Sequence, residues 1–470
     1  MNKIKFGTDG WRAIIADDFT VENVKRVAYA TALWLKNNFE APSAVVGCDP
    51  RFAGPLFADV TARVLASQGV KVFRAENSFV STPMISLGTV RKKASAGIII
   101  TASHNPPSYN GYKIKANYGG PATPDDIEKV ESYIPDTIEL ELKSLIEYQK
   151  DGLIEYIDLE GMYIAHVENN FDLEAIRTCG LNWAYDAMYG AGQNVMRHLF
   201  PDITFMHCDA NPGFDGQAPE PIQRNLTEFE DLIKLSEGEI ASGLVTDGDA
   251  DRIGLYDENG NFVDSHHILL LLIHYMAKVK KQTGEVYSTF SCTSKIQKLC
   301  DAYGLNNTVT KIGFKYICDL IVNSGKPFLV GGEESGGIAA AGHIPERDGI
   351  WIGLIIWEFM AKTGRSLSDL VQEVYDVVGK FAVERYDLHV TEELKQQIIS
   401  NSKNGKYASF GSLKVVSTDD MDGFKFFFED GSWVMIRPSG TEPVLRVYAE
   451  APSSADSFKI LDVVKAVLLG

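Results

Sequence analysis

Short runs of β-branched residues alternate with amphipathic helical stretches, and this alternation does most to constrain the fold. The run AVVGCD (44–49) ends at Asp-Pro and is followed by a helical stretch from Pro55 to Gln68. The runs VKVFRA (70–75) and AGIIITAS (96–103) have the same character. The pattern predicts an α/β sheet with parallel neighbours, in which ligands gather at the carboxyl ends of strands. Ser103 lies at such an end.

The chain is too long for one hydrophobic core. It has 470 residues, whereas single cores stop growing at roughly 250–300 residues. We expect four domains. Three α/β units cover 1–155, 156–258 and 259–380, and a smaller α+β domain covers 381–470, where strands come to dominate and only one or two helices are expected.

Composition and charge exclude several classes of protein. The net charge of −18 argues against a broad basic face for nucleic acid. The N-terminal run MNKIKFGTDG lacks the apolar core of a signal peptide, and no apolar run approaches the ~20 residues of a membrane span. Six cysteines without a C-x-x-C pair predict reduced thiols. We expect a cytoplasmic protein without nucleic-acid or membrane partners.

The segment TASHNPPSYNGYK (101–113) is the first candidate for chemistry. A strand delivers Ser103 and His104 into a loop stiffened by Pro106 and Pro107. A serine fixed at a strand end beside a histidine can act as a nucleophile or carry a phosphate covalently. An ordinary hydrogen-bonded turn has the same composition, so this motif needs partners elsewhere in the chain.

The segment DGDADR (247–252) places three carboxylates at alternate positions after the strand ASGLVT. Asp247, Asp249 and Asp251 could converge on a hard cation, which favours magnesium or calcium over zinc. An EF-hand loop is the main competitor, but its sixth position needs glycine where this chain has Arg252. A solvated acidic turn is the other alternative.

Two glycine-containing loops complete the set. GGEESGG (331–337) displays Glu333 and Ser335 on a backbone that a ligand can approach closely. RPSGTEPVLR (437–446) combines small hydrogen-bond donors with Arg437 and Arg446, a combination that suits a phosphate dianion. Either loop alone would be interpreted as an ordinary surface turn.

Together with an FGTDGWRA opening, these four motifs in this order closely resemble the α-D-phosphohexomutase family, from Phe6 to Glu450. The resemblance implies a four-domain, heart-shaped architecture, with three α/β mixed-sheet domains and a C-terminal α+β domain around a central cleft. It also assigns roles to individual side chains. The implied metal ligands are Ser103, Asp247, Asp249 and Asp251. The groups implied to surround the transferring phosphate are Arg12, His104, Lys113 and Arg252. The implied substrate-binding groups are Glu333, Ser335, Arg347, Arg437, Ser439, Gly440, Thr441 and Arg446.

By the same resemblance, Ser103 is phosphorylated and Mg²⁺ is the cofactor. The implied reaction interconverts hexose 1-phosphate and hexose 6-phosphate, with glucose preferred and mannose also accepted, through a hexose 1,6-bisphosphate that doubles as activator. The substrate is a small sugar phosphate, and the enzyme is expected to be a monomer or homodimer.

Several alternatives stay open. A phosphomannomutase or phosphoglucosamine mutase would carry the same motifs, and a phosphatase using Asp247 as nucleophile or an inactive sugar-phosphate sensor is more remote. GFKYI (313–317) and GHIPERDG (342–349) look like the phosphoglucomutase branch. Arg347 stands where some phosphoglucomutases carry lysine, and Gly337 where bifunctional mannose enzymes often carry histidine. These two departures leave the general base unassigned.

Overall fold

The computed structural model of the chain describes residues 4–7, 9–438 and 444–470. Three of the expected phosphate-binding residues, Ser439, Gly440 and Thr441, lie outside the described residues. The described part forms four units, each built on its own β-sheet.

The first unit contains a six-stranded mixed sheet with strand order β1-β5-β4-β2-β3-β6. Strands β2, β3, β4 and β6 run parallel, and β1 and β5 run antiparallel at one side. Thr20 caps the first helix as its position predicts, because its hydroxyl accepts a hydrogen bond from Asn23 N at 3.2 Å. The elements are β1 Trp11–Ile14, α1 Val21–Asn38, β2 Ser43–Cys48, α2 Gly54–Ser67, β3 Lys71–Ala75, α3 Thr82–Lys92, β4 Ala96–Ile100, β5 Tyr109–Ala116, α4 Pro124–Ser132, α5 Leu145–Lys150, β6 Ile154–Ile157 and α6 Leu159–Glu168.

The second unit contains a five-stranded mixed sheet with order β11-β10-β9-β7-β8. Its central strand β9 is buried along its whole length, which explains its unbroken run of small and apolar residues. The elements are α7 Leu173–Thr178, β7 Asn182–Asp186, α8 Gln193–Leu199, β8 Thr204–Met206, α9 Thr227–Leu235, β9 Ile240–Thr246, β10 Ile253–Asp257 and β11 Phe262–Val263.

The third unit contains a four-stranded mixed sheet with order β13-β12-β14-β15. Its first helix, α10, continues into a π-helical turn over Tyr275–Val279. The elements are α10 Ser265–His274, β12 Glu285–Thr289, α11 Lys295–Tyr303, β13 Asn307–Thr310, α12 Phe314–Asn323, β14 Phe328–Gly332, β15 Ile338–Ala340, α13 Gly349–Thr363 and α14 Leu367–Val378.

The fourth unit contains an antiparallel sheet with order β16-β21-β20-β19-β18-β17 and two helices, as expected for an α+β domain. The predicted fold class is therefore confirmed for all four sheets. The elements are β16 Ala382–His389, α15 Glu392–Lys403, β17 Ser409–Phe410, β18 Leu413–Asp419, β19 Phe424–Phe428, β20 Trp433–Pro438, β21 Val444–Ala451 and α16 Ser454–Leu469.

One cluster of buried apolar side chains extends through the first three units, a second large cluster lies within the first unit, and the fourth unit has its own. One cluster of buried side chains extends from Val45 through Trp183 to Phe381. The fourth unit has its own cluster around Phe426. A small aromatic cluster that includes Phe290 and Trp433 joins the third unit to the fourth. The fourth unit is thus attached to the rest through a much smaller apolar contact.

All six cysteines are free thiols, and five of them are buried, as the sequence predicts. Across the part of the chain that the structure describes, no helix has both the length and the apolar character that a membrane span requires.

Candidate active site

Loops of the first three units and strands of the fourth line a central cleft of about 680 Å³, which falls in the ~300–1,000 Å³ range typical of small-molecule sites. Three of the loops follow the carboxyl ends of β4, β9 and β14, where an α/β sheet presents ligand-binding groups. The expected site residues on the cleft wall are Arg12, His104, Arg252, Glu333, Ser335, Arg347, Arg437 and Arg446.

Ser103 is buried next to His104 of the cleft wall, directly beside the acidic loop. Its Oγ is 2.8 Å from Oδ2 of Asp247 and 3.2 Å from Nδ1 of His104. The residue is buried and has a left-handed backbone with φ of +52°. Such a conformation is unusual for a serine and is found mainly where the surroundings impose it. The structure thus brings together the serine motif and the aspartate motif, 144 residues apart in sequence.

Asp247, Asp249 and Asp251 form a fully buried cluster whose ligand oxygens lie within 4.8 Å of one another. Oδ1 of Asp249 and Oδ1 of Asp251 are buried and accept no hydrogen bond from the described residues. Burial raises the pKa of Asp247 well above its usual value, and the charges of Asp249 and Asp251 raise it further. Carboxylate oxygens left unpaired in this way fit a hard divalent cation such as Mg²⁺. Strands β9 and β10 flank the loop, so it is not an EF-hand.

Lys113 contacts the other side of the aspartate cluster. Its buried Nζ is 2.8 Å from Asp249 Oδ2, 3.1 Å from Asp251 Oδ2 and 3.0 Å from Asp9 Oδ2. Burial alone would lower the pKa of Lys113, but the three carboxylates outweigh burial and raise it. Lys113 therefore stays positively charged against the buried aspartates.

Arg347 adds a second cation. Its Nη2 is 2.6 Å from Asp9 Oδ2 and 2.8 Å from Asp251 Oδ2, and its guanidinium lies 5.3 Å from the centre of the Phe314 ring. Phe314 belongs to the GFKYI segment, so this arginine connects three of the motifs.

Sequence reasoning missed three charged residues of this network: Asp9, Lys115 and Glu346. Asp9 binds both Lys113 and Arg347, and Lys115 Nζ lies 2.6 Å from Glu346 Oε2. A signal was present, because Lys113 and Lys115 alternate along β5 and therefore share one face of the sheet. Two buried lysines on one face require acidic partners.

The remaining basic residues on this side of the cleft surround His104. Arg12 Nη1 donates a hydrogen bond to Asn105 Oδ1 at 2.7 Å, and Arg252 Nη1 lies 3.6 Å from Glu220 Oε1. Burial lowers the pKa of His104 well below its usual value, and the charges of Arg252 and Arg12 lower it further. The imidazole is thus held neutral beside Ser103.

The loop after β14 presents two glutamates in different settings. Glu334 accepts a hydrogen bond from Thr289 Oγ1 at 3.2 Å and another from Ser291 Oγ. Glu333 is 7% exposed, and burial together with the neighbouring Glu334 charge raises its pKa to about 7. Ser335 is half-buried on the same cleft wall.

The fourth unit presents a row of arginines. Arg437 on β20 and Arg446 on β21 are direct cross-strand partners and so share one face of the sheet. Arg437 Nη2 lies 3.3 Å from Asp422 Oδ2. A third arginine, Arg385, lines the same cleft from β16 and was missed because strand positions carry no turn signal.

Comparison with known proteins gives the same architecture. Domain families described as phosphoglucomutase/phosphomannomutase match in chain order: α/β/α domain I at residues 3–141, domain II at 161–260, domain III at 264–378 and the C-terminal domain at 392–465.

Among similar proteins, a phosphoglucomutase/phosphomannomutase of Thermococcus kodakarensis is 30% identical over 465 residues, which covers 97% of this chain and 96% of the relative. A phosphoglucosamine mutase of Bacillus cereus is 29% identical over 475 residues and covers 98% of each chain.

Solved structures agree. A provisionally named phosphomannomutase from Thermus thermophilus superposes with a TM-score of 0.86 at 31% identity over 100% of both chains. The open form of parafusin, a phosphoglucomutase from Paramecium, superposes with a TM-score of 0.84 at 20% identity and covers 99% of this chain and 94% of its own. With its four matched domains and its full-length relatives, the chain belongs to the phosphoglucomutase/phosphomannomutase family, the α-D-phosphohexomutases, enzymes that move a phosphoryl group within a hexose phosphate.

Proposed function

We propose that this protein is a magnesium-dependent phosphoglucomutase that interconverts glucose 1-phosphate and glucose 6-phosphate through a phosphoserine at Ser103. One observation carries the proposal: Ser103 Oγ lies 2.8 Å from Asp247, in a cluster whose Asp249 and Asp251 each have a buried, unpaired carboxylate oxygen. A serine that carries a phosphate beside a bound cation needs this arrangement.

In the first half-reaction, the phosphoryl group on Ser103 passes to O6 of glucose 1-phosphate. The bond between Ser103 Oγ and phosphorus breaks as the bond from O6 to phosphorus forms, the O6 proton ends on Ser103 Oγ, and glucose 1,6-bisphosphate results. In the second half-reaction the bond from O1 to phosphorus breaks as the C1 phosphoryl group passes to Ser103 Oγ, the Oγ proton ends on O1, and glucose 6-phosphate is released. The serine ends as it began.

The main tasks of the chain's own residues are to position the reacting groups and to neutralise charge. Phosphoryl transfer asks a protein chiefly to align the groups and to neutralise the moving charge. Lys113, Arg12 and His104 surround Ser103 and are assigned to the oxygens of the transferring group. Arg252 is assigned to the same region, one residue beyond the aspartates.

Asp247, Asp249 and Asp251, with the oxygen of Ser103, are the residues that would hold Mg²⁺. When bound, the ion supplies Lewis-acid stabilisation of charge on the transferring phosphoryl group.

The bisphosphate has to turn end over end before its second phosphate can meet Ser103. That step requires one site able to hold either phosphate, and Arg437 and Arg446 together with Ser439, Gly440 and Thr441 are assigned to it. The fourth unit carries these arginines and has its own apolar core. Movement of this unit would let the intermediate turn without leaving the cleft.

Glucose is favoured over other hexoses by two features. GFKYI and GHIPERDG look like the phosphoglucomutase branch, and Arg347 and Phe314 from these segments pack against each other in the cleft. Glu333 and Ser335 are assigned to the sugar hydroxyls, with Arg347 nearby.

The test is an assay of the purified protein on glucose 1-phosphate with magnesium and a trace of glucose 1,6-bisphosphate. We expect glucose 6-phosphate to form, its formation to stop with a chelator, and turnover to depend on the bisphosphate. Release of inorganic phosphate without isomerisation would instead support a phosphatase that uses Asp247 as nucleophile.

A phosphoglucosamine mutase is the second candidate, because relatives with that name match this chain along 98% of its length. The two are separated by comparing glucose 1-phosphate with glucosamine 1-phosphate under identical conditions. A higher kcat/KM for the amino sugar would replace the glucose assignment and leave the mutase chemistry intact.

A further inference from the structure

Arg51 is a buried arginine whose guanidinium binds the backbone of the serine loop. Nη1 donates hydrogen bonds to the carbonyl oxygens of Pro106 at 2.9 Å and Tyr109 at 3.1 Å. Nη2 donates to the carbonyl oxygens of Asn105 at 2.6 Å and of Ser103. Only 1% of Arg51 is exposed. A single side chain therefore fixes four carbonyl groups of one loop.

Asp49 and Thr101 close a circuit with Arg51 around Ser103. Asp49 Oδ2 lies 3.2 Å from Arg51 Nε and accepts a hydrogen bond from Thr101 Oγ1 at 2.5 Å. Thr101 Oγ1 in turn accepts a hydrogen bond from Ser103 N at 2.8 Å. The N–H and the C=O of Ser103 are thus both held by this one network.

The backbone that the network holds is unfavourable. Ser103 has φ of +52°, where the Cβ of an L-residue is crowded and an isolated serine would not stay. Such a conformation persists only when the surrounding contacts over-determine it. In this conformation, Ser103 Oγ points at Asp247 Oδ2, 2.8 Å away.

The same network also sets the spacing between the serine loop and the aspartate loop. Gly248 packs against the serine so closely that a Cβ there would lie 2.6 Å from the Ser103 carbonyl oxygen. The Arg51 guanidinium lies 4.8 Å from the centre of the Phe214 ring, which belongs to the second unit. Arg51 therefore contacts both sides of the junction where Ser103 meets its acidic partner.

We propose that Asp49, Arg51 and Thr101 form a serine clamp, a set of positioning residues that imposes the left-handed conformation of Ser103 and thereby aims its Oγ at the aspartate cluster. The inference rests on the proposed function of Ser103 as phosphate carrier. It assigns to the clamp no contact with the substrate, so the clamp should act on turnover and leave substrate affinity largely unchanged.

The test compares Arg51→Lys with Arg74→Lys. Lysine retains a cation beside Asp49 but cannot reach four carbonyl groups. Arg74, on β3 of the same unit, is a matched control, because it is 5% exposed, lies 3.1 Å from Asp59 Oδ1 and does not touch the serine loop. We expect Arg51→Lys to lower kcat about 100-fold with KM within about threefold, as for a reacting atom displaced by ~1 Å. Arg74→Lys should change neither constant appreciably.

A second pair of variants covers the case in which Arg51→Lys fails to fold. Thr101→Val removes the hydroxyl and keeps the shape, whereas Thr101→Ser keeps the hydroxyl. The clamp predicts that Thr101→Val loses kcat and that Thr101→Ser recovers most of it. Equal kcat for the two Thr101 variants, or wild-type kcat in Arg51→Lys, would overturn the proposal.

Mass spectrometry separates failure of the clamp from failure of the proposed function. Each protein is incubated with glucose 1,6-bisphosphate, and the phosphate on Ser103 is followed over time. If the wild type and Arg51→Lys each gain one phosphate at the same rate, the clamp is refuted and the phosphoserine is not. A wild type that never gains phosphate refutes the phosphoserine and the clamp with it.

Discussion

Arg347 occupies the space that a side chain at position 337 would need. A Cβ built on Gly337 would fall within 3.0 Å of Cδ of Arg347 and 3.1 Å from its Cγ. The glycine therefore leaves room for the arginine to reach Asp9 and Asp251. Gly337 and Arg347, the two positions expected from the resemblance to depart from the family pattern, are thus direct neighbours in the structure.

Gly337→Ala should displace Arg347 from Asp251 and lower kcat/KM by roughly ten- to hundredfold, since ~1 Å of misplacement can cost about 100-fold. In the Arg347→Ala variant the methyl group of Ala at position 337 meets no Cδ, so adding Gly337→Ala should lower kcat/KM only slightly. Steady-state kinetics of the four proteins measures this coupling. Gly213→Ala is the control, because its Cβ would make only ordinary contact, 3.4 Å from Asn211 Oδ1. Additive losses would contradict the coupling.

Ser103→Ala should remove mutase activity and leave the fold intact, because it deletes one hydroxyl and no core volume. Intact-mass spectrometry after incubation with glucose 1,6-bisphosphate should show one added phosphate on the wild type and none on the variant. Thermal unfolding provides the control for stability. Turnover of Ser103→Ala at the wild-type rate would end the phosphoserine hypothesis.

Asp249→Asn and Arg446→Ala should give opposite kinetic profiles. Asp249 belongs to the cluster beside the transferring group, so its loss should lower kcat far more than it raises KM. Arg446 lies on β21 in the fourth unit, and its loss should mainly raise KM by removing a charge-assisted contact to the distant phosphate. The comparison requires full saturation curves for both variants. Identical profiles would refute this division of roles.

Substrate affinity should depend on pH through Glu333. Burial and the Glu334 charge raise the pKa of Glu333 to about 7. A carboxylate accepts hydrogen bonds from sugar hydroxyls better than a carboxylic acid, so KM should rise as pH falls through about 7. In Glu333→Gln, the part of the KM rise that comes from protonation of Glu333 should disappear. The ratio of the wild-type KM to the variant KM at each pH separates this part from titration of the substrate phosphate.

The same pKa has a measurable effect on stability without substrate. The pKa of Glu333 is about 7 in the folded protein and 4.5 in the unfolded chain, so the folded protein binds this proton more tightly. The folded state therefore binds more protons between pH 4.5 and about 7, and the contribution of Glu333 to the free energy of unfolding falls as pH rises through that window. Relative to Glu333→Gln, the wild type should lose stability across it. A constant difference would contradict the raised pKa.

Substrate preference should follow the order glucose, mannose, galactose. On the proposed mechanism the sugar binds in two orientations, so Glu333 and Ser335 would meet hydroxyls that exchange places on turning, and O3 with O4 is the pair nearest that symmetry. Both are equatorial in glucose and mannose, whereas O4 is axial in galactose. An unpaired buried group costs about 1–3 kcal/mol, or roughly tenfold or more in specificity. Equal kcat/KM for galactose 1-phosphate and glucose 1-phosphate would show that these side chains do not distinguish O4.

Local sequence patterns predicted the elements that carry the site. The strands expected at 44–49 and 96–103 are present as β2 and β4, and the helical stretch expected from Pro55 to Gln68 is present as α2, Gly54–Ser67. Short apolar runs and capping residues are local signals, so one sequence is enough to find them.

Residues that act through distant partners were harder to predict. Asp9 and Glu346 gain their importance from Lys113, Lys115 and Arg347, which lie far away along the chain. No sequence pattern singled out Arg51, and only the fold shows that its guanidinium binds four carbonyl groups of the serine loop. Long-range pairing of charges leaves no periodic pattern in sequence.

The division of the apolar core bears on processivity, the number of bisphosphate intermediates that complete their turn before one escapes. Ile99, Ala250 and Ile338, which lie in or beside the three loops at the reacting end, belong to the same continuous core. Ile436 and Leu445, beside the two arginines for the distant phosphate, belong to the other. On the proposed mechanism, a swing of the fourth unit about the small contact at Phe290 would leave Ser103 and its aspartates at fixed distances. The geometry of Ser103 and its aspartates and the residence time of the intermediate can thus be tuned by separate sets of residues.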